Sequence, residues 1–139
     1  MPVADTEVLF ALNPEDVKHD FAMDLLQGEI AIVVPDVAML EFQTVLRGRG
    51  TSPTDTKKAL IAVHEVLKRL NIAEVSTLNS DLLALQCDIE ENYNLSYFDS
   101  LIATSALVWD NQIVSDDEEF DRVPTLQRIP LKQIPVKND

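Results

Sequence analysis

The sequence predicts an α/β domain with a mainly parallel central sheet. Short runs of apolar, β-branched residues alternate with helix-patterned segments from one end of the chain to the other, and this alternation is typical of parallel-sheet folds. The chain has 139 residues, 46% of them apolar, which is enough for one buried core. No segment has the composition of a linker, so we expect a single domain over residues 1–139.

Five segments have the composition of strands. The run at residues 30–34 is continuously apolar, as is typical of a parallel strand buried on both faces. The last segment is weaker because Pro130 interrupts it. The predicted strands are residues 3–5, 30–34, 72–76, 112–115 and 126–131.

Helices are predicted between these strands. Pro14 begins a helix in which Val17, Phe21 and Leu25 follow at helical spacing, and Gly28 ends it. The helix at residues 96–109 is apolar almost all round, which predicts that it lies in the centre of the domain. The remaining predicted helices are a short turn at 6–12 and longer ones at 35–46, 52–70 and 79–91, with a polar turn at 117–121.

The charge of the chain bears on its partners. A net charge of −13 argues against a partner bound through its phosphates. Six of the eleven Lys and Arg residues nevertheless lie between Arg47 and Arg69, whereas acids cluster at residues 110–121. Both clusters are also compatible with ordinary solvated surface.

Acidic residues interrupt apolar patterns at four places. Asp5 ends the first strand, Glu41 lies within the apolar stripe of its helix, and Asp99 begins the most apolar helix. Asp116 and Asp117 follow the fourth strand. Any one of them can be a helix cap or one half of an ion pair. Together, converging carboxylates without local cations predict a site for Mg²⁺ or Mn²⁺, because a buried carboxylate needs a partner.

The same residues resemble the motifs of the PIN domain family. The resemblance covers essentially the whole chain, in the order typical of the family, and is nearest to the VapC-like ribonuclease toxins. The third and fourth motifs are the more specific because of their spacing. The four motifs are Ala4–Leu9, Pro35–Glu41, Leu95–Ala103 and Ile113–Asp121.

This resemblance implies a three-layer α/β/α fold and a Mg²⁺- or Mn²⁺-dependent endoribonuclease that acts on single-stranded or structured RNA. It also implies a homodimer and a small antitoxin partner. The metal-binding acids carried over from the family are Asp5, Glu41, Asp99 and Asp117, with Thr6 and Ser115 as supporting hydroxyls and Asp116 as the alternative fourth acid.

One residue departs from the family pattern. Glu7 stands where the family often has Asn. An added acid at this position has two readings: it shifts the metal preference, or it only faces solvent.

Two other functions remain open at this point. A non-catalytic PIN-like module that binds a protein partner is favoured by the negative charge, and a receiver-type phosphoacceptor domain is also α/β with an acidic pocket. The N-terminus lacks the pattern of a signal peptide, no apolar run is long enough to span a membrane, and Cys87 is the only cysteine. We therefore expect a cytoplasmic protein without membrane association.

Overall fold

The computed structural model describes residues 1–132, so residues 133–139 of the predicted domain lie outside the described part. Its centre is a five-stranded sheet in which all four strand pairs are parallel. This confirms the predicted α/β class with a parallel sheet. The strands are β1 (Val3–Ala4), β2 (Val33–Pro35), β3 (Ala73–Val75), β4 (Gln112–Val114) and β5 (Gln127–Ile129).

Within residues 1–132, six α-helices connect and cover the strands, and the predicted three-layer α/β/α arrangement is confirmed. A short 3₁₀ helix, Glu118–Arg122, follows β4. The α-helices are α1 (Thr6–Phe10), α2 (His19–Leu26), α3 (Asp36–Gly48), α4 (Pro53–Arg69), α5 (Ser80–Tyr93) and α6 (Tyr97–Trp109). In α6, every residue from Ser100 to Ala106 is buried, which confirms the central position predicted for this helix.

The order of the strands decides where a site can form. The sheet has the strand order β3-β2-β1-β4-β5. The chain therefore adds β2 and β3 on one side of β1, and then β4 and β5 on the other side. The direction of winding therefore reverses between β1 and β4. In parallel sheets, the carboxyl ends of the strands at such a point border a natural crevice. A receiver-type domain has the order 2-1-3-4-5, so that reading of the sequence is wrong.

The predicted start of α2 at Pro14 is wrong. Residues 14–18 form turns instead, because the side chains of Asn13 and Asp16 accept hydrogen bonds from the backbone N–H groups of Glu15 and Lys18. Such side-chain bonds compete with helix formation. Val17, which the helical spacing placed on the apolar stripe, is 91% exposed.

The second strand is also displaced from its predicted bounds. It covers Val33–Pro35 rather than residues 30–34, and Ile30 is exposed before the sheet begins. Pro35 is tolerated because it is the last residue of β2, where its fixed φ leads directly into α3. Over residues 1–132, no helix has both the length and the apolar composition needed to cross a membrane.

Candidate metal centre

Asp5 lies at the carboxyl end of β1 and is 7% exposed. Its Oδ1 accepts the backbone N–H of Thr6 at 2.8 Å, and its Oδ2 accepts the Ser115 hydroxyl at 2.7 Å. The backbone N–H of Asp5 donates to the carbonyl of Val114 at 3.0 Å. Asp5 is therefore held directly against the end of the neighbouring strand β4.

Ser115 connects two of the candidate acids. Its hydroxyl donates to Asp5 and accepts the backbone N–H of Asp117 at 3.0 Å. The side chain is fully buried, so water cannot replace either bond. One hydroxyl thus fixes the spacing between the end of β1 and the segment that carries Asp117.

Glu41 reaches the same region from α3. Its Oε1 accepts the Thr6 hydroxyl at 2.5 Å. Thr6 is the first residue of α1 and directly follows Asp5. The Thr6 hydroxyl thus donates to Glu41, as the Ser115 hydroxyl donates to Asp5.

Three further carboxylates meet beside these acids. One carboxyl oxygen from each of Asp99, Asp117 and Glu119 lies within 4.8 Å of the others. Asp99 is in the first turn of α6. The hydroxyl of Ser96 caps this helix by accepting the backbone N–H of Asp99 at 3.2 Å. Asp117 caps the 3₁₀ helix, and the fully buried Phe120 anchors that helix in the core.

Glu119 was not among the residues predicted from the sequence. A signal was present, because Glu119 follows Asp117 by two residues within an acidic run. A polar turn does not fix the direction of its side chains, however, so the sequence could not choose between Glu118 and Glu119. We name the five residues Asp5, Glu41, Asp99, Asp117 and Glu119 the acid pocket.

Burial, and to a lesser extent neighbouring carboxylates, raise the pKa values of three acids in the acid pocket. Burial raises the pKa of Asp5 to about 7, and the charges of Glu7 and Asp99 add to this rise against the hydrogen bonds from Ser115 and Thr6. Burial also raises the pKa values of Glu41 and Asp99, and neighbouring carboxylates contribute to both. A cation that binds Asp5 at neutral pH therefore competes with a proton.

Few cations lie near these carboxylates. Within residues 1–132, no ion pair involves Asp5, Glu41, Asp99 or Asp117, and Glu119 pairs only with Arg122 at 3.6 Å. The donor set consists of carboxylate oxygens without nitrogen or sulfur ligands. Such a set fits hard divalent cations such as Mg²⁺ or Mn²⁺.

Asp116 lies outside the acid pocket. Its Oδ1 accepts the backbone N–H groups of Leu131 and Lys132 at 2.7 and 2.9 Å, and its Oδ2 lies 2.9 Å from Lys18 Nζ. Burial alone would raise the pKa of Asp116, but the Lys18 contact and the two N–H donors hold it below its usual value. The structure therefore directs this alternative acid toward the end of β5.

The reading in which Glu7 only faces solvent is wrong, whereas its effect on metal preference stays a prediction. Its Oε1 accepts the backbone N–H of Asp116 at 2.5 Å, and its Oε2 lies 3.4 Å from Lys18 Nζ. Glu7 is thus occupied by partners at the rim of the acid pocket and does not simply face solvent.

Comparisons with known proteins agree with this geometry. A model of the PIN domain matches residues 3–126. A search of curated proteins found no significant match.

Solved structures give the same picture of the fold. VapC20 of Mycobacterium tuberculosis, described as a sarcin-ricin loop cleaving toxin, is 18% identical with a TM-score of 0.69, over 89% of this chain and 95% of that one. VapBC2 of Rickettsia felis, bound to a DNA fragment from its promoter, is 17% identical with a TM-score of 0.67, over 92% and 96%. FitAcB of Neisseria gonorrhoeae is 16% identical with a TM-score of 0.61, over 94% and 98%. At these identities the likeness establishes the fold alone.

Proposed function

The chain belongs to the PIN domain family, and from that premise we propose that it is a Mg²⁺- or Mn²⁺-dependent endoribonuclease. The observation that carries this proposal is the convergence of five carboxylates from separate elements of the fold. Strand β1, helices α3 and α6, and the segment after β4 each contribute at least one. Repulsion among closely spaced carboxylates is unfavourable, and a bound divalent cation would relieve it.

Each residue of the acid pocket has a proposed role. Asp5, Glu41, Asp99 and Asp117 hold the cation, and Glu119 extends the set on the exposed side. Ser115 and Thr6 fix the carboxylates that they contact, because residues that orient ligands determine metal affinity. A bound divalent ion would activate a water molecule and stabilise the leaving oxygen of a phosphodiester. The overall reaction adds water across one P–O ester bond and leaves a phosphate and a hydroxyl end.

Purified protein incubated with end-labelled RNA tests the proposal. We expect internal cleavage with Mn²⁺, none with excess EDTA, and a strong loss with Asp99→Asn. A matched control is Asp88→Asn, an exposed change on α5, which we expect to cleave like wild type. Metal-independent cleavage, or Asp99→Asn with wild-type activity, would contradict the proposal. No cleavage of any RNA would favour the non-catalytic binding module.

A second part of the proposal concerns a protein partner. We propose that the chain is the toxin of a toxin–antitoxin pair and forms homodimers, as the resemblance to VapC-like toxins implies. Support comes from the similar fold of a structure described as a toxin–antitoxin complex, from Klebsiella pneumoniae, with a TM-score of 0.63 and 13% identity.

A groove of about 580 Å³ is the proposed docking site for the antitoxin. It lies between α1, α3 and α4, and Phe10, Phe42 and Val63 supply much of its apolar lining. Arg49 lies at its edge, 5.0 Å from the centre of the Phe10 ring. The lining contains Arg49 but also Glu15 and Asp16, so the groove fits a mainly apolar segment.

Co-purification with the product of a short open reading frame upstream tests the partner. We expect Ala62→Glu, inside the groove, to abolish co-purification. Ile61→Glu, an exposed change on the same helix outside the groove, is expected to leave it unchanged. Equal binding by both variants would place the antitoxin elsewhere.

A further inference from the structure

Lys18 joins two acids that lie outside the acid pocket. Its Nζ is 2.9 Å from Asp116 Oδ2 and 3.4 Å from Glu7 Oε2. Glu7 lies two residues after Asp5, and Asp116 directly precedes Asp117. One ammonium group therefore connects the start of α1, which follows Asp5, to the loop that carries Asp117.

The backbone around Lys18 is held in place. Asp16 accepts the Lys18 N–H at 2.9 Å through its side chain and the His19 N–H at 3.0 Å through its carbonyl. The His19 ring nitrogen Nδ1 lies 2.9 Å from the Ala11 carbonyl oxygen. Lys18 thus projects from a fixed turn between α1 and α2, so its position can determine that of the groups it contacts.

The contact between the two acids depends on this cation. Asp116 donates its N–H to Glu7 across only 2.5 Å, while both residues carry carboxylates. Without a shared positive charge, the two carboxylates repel each other at close range. That repulsion would separate the start of α1 from the loop that carries Asp117.

We propose that Lys18 is a positioning residue for the metal centre: it ties Glu7 to Asp116, and through them fixes Asp117 opposite Asp5. This inference rests on the proposed function, because it concerns the same metal ion. Lys18 touches none of the acid pocket residues through an ion pair within residues 1–132. It acts only through the two acids that it joins.

A simple charge effect predicts the opposite result. Removing a positive charge near a cation site makes cation binding tighter, since like charges repel. Removing a positioning residue makes it weaker, typically by about 10–100-fold for groups that orient metal ligands. The sign of the change in Mn²⁺ affinity therefore separates the two explanations.

The experiment is a direct titration of the full chain with Mn²⁺, in which electron paramagnetic resonance measures the concentration of the free ion. We expect Lys18→Met to bind Mn²⁺ about 10-fold more weakly than wild type, and Lys18→Arg to regain most of the affinity. Lys58→Met removes a charge from an exposed pair with Asp55 and is expected to bind like wild type. Thermal unfolding without metal is measured in parallel to identify loss of fold.

Each outcome has a defined meaning. Unchanged or tighter Mn²⁺ binding by Lys18→Met overturns the positioning role while leaving the proposed function intact. Failure of wild type to bind Mn²⁺ at millimolar concentration overturns both. If Lys18→Met does not fold, Lys18→Arg and the charge-balanced double variant Lys18→Met/Glu7→Gln decide: wild-type affinity in the double variant, which lacks the repulsion, supports the positioning role, and weakened affinity overturns it.

Discussion

Asp116 and Asp117 are neighbours in sequence with different surroundings. Asp116 is bound by Lys18 and by two backbone N–H groups near the end of β5. Asp117 lies with Asp99 and Glu119 in the acid pocket. Successive residues that leave a strand point in opposite directions, which explains how two adjacent acids acquire separate tasks.

Substitution of each acid by Asn separates these tasks. We expect Asp117→Asn to reduce the metal-dependent cleavage rate by at least about 10–100-fold, and Asp116→Asn to reduce it mildly, because its amide can still accept the N–H groups. The measurement is single-turnover cleavage of one RNA at saturating Mn²⁺. An inactive Asp116→Asn beside an active Asp117→Asn would show that the fourth ligand is one residue earlier.

Ser115→Ala tests the hydroxyl that connects Asp5 to Asp117. The change leaves the Asp117 N–H without its buried acceptor and removes a donor from Asp5. We expect the free energy of unfolding to fall by about 1–3 kcal/mol, measured by urea denaturation in EDTA. Ser76→Ala, the same change at an exposed position after β3, should have almost no effect. Equal stability of both variants would show that this hydroxyl does not support the fold.

At the scale of elements, the Asp36 carboxylate forms a clamp between neighbouring segments of the fold. Asp36, the first residue of α3, accepts the N–H and hydroxyl of Thr77 at 3.2 and 2.9 Å and the N–H of Leu78 at 3.2 Å. The Thr77 hydroxyl also lies 2.9 Å from the hydroxyl of Ser105 in α6. The loop before α5 is thereby tied to α3 and α6, the two helices that carry Glu41 and Asp99.

We expect Asp36→Ala to lower the free energy of unfolding by about 2–4 kcal/mol, because the N–H and hydroxyl of the buried Thr77 lose a charged acceptor. Asp55→Ala, which removes only an exposed ion pair with Lys58, should have a much smaller effect. Chemical denaturation of both variants measures the difference. A loss no larger for Asp36→Ala than for Asp55→Ala would contradict the clamp.

The elements with strong local signals were predictable from the sequence. Helix α6 is apolar all round and is capped by Ser96, and α4 begins at Pro53 after the cap Ser52, so composition and capping both indicate their positions. The start of α2 was not predictable, because the helical spacing of Val17 competes with turns formed by Asn13 and Asp16. Spacing alone does not determine whether the helix or the turns are more favourable.

The candidate site was predictable in part for a related reason. Asp5 and Asp117 end or follow strands, and the carboxyl ends of parallel strands share one edge of the sheet. Glu119 lies in a short 3₁₀ helix and Lys18 in a turn before α2, and neither segment is long enough for a sequence period to assign a direction to the side chain. Their placement follows from tertiary contacts, such as the burial of Phe120 and the ion pair with Asp116.

At the scale of the whole molecule, metal binding should raise the thermal stability of the protein. An ion that binds only the folded state at about 100 times its dissociation constant adds about 2.7 kcal/mol, which corresponds to a rise in Tm on the order of 10 °C for a chain of this size. We expect this rise with Mn²⁺ and a smaller one for Asp99→Asn. NaCl at matched ionic strength is the control, because screening alone stabilises a chain with a net charge of −13. A Tm that responds equally to both salts would argue against a specific ion.

The strand order also has a consequence for folding during translation. Strand β1 is made before the other strands, yet it lies at the middle of the sheet and pairs with β4, which is made after β2 and β3. The hydrogen bond between Ser115 and Asp5 spans 110 positions of the chain. Folding of such distant partners waits until the chain has been made through β4. A growing chain that ends before β4 therefore holds Asp5, Glu41 and Asp99 without Asp117, so the acid pocket stays incomplete until that point.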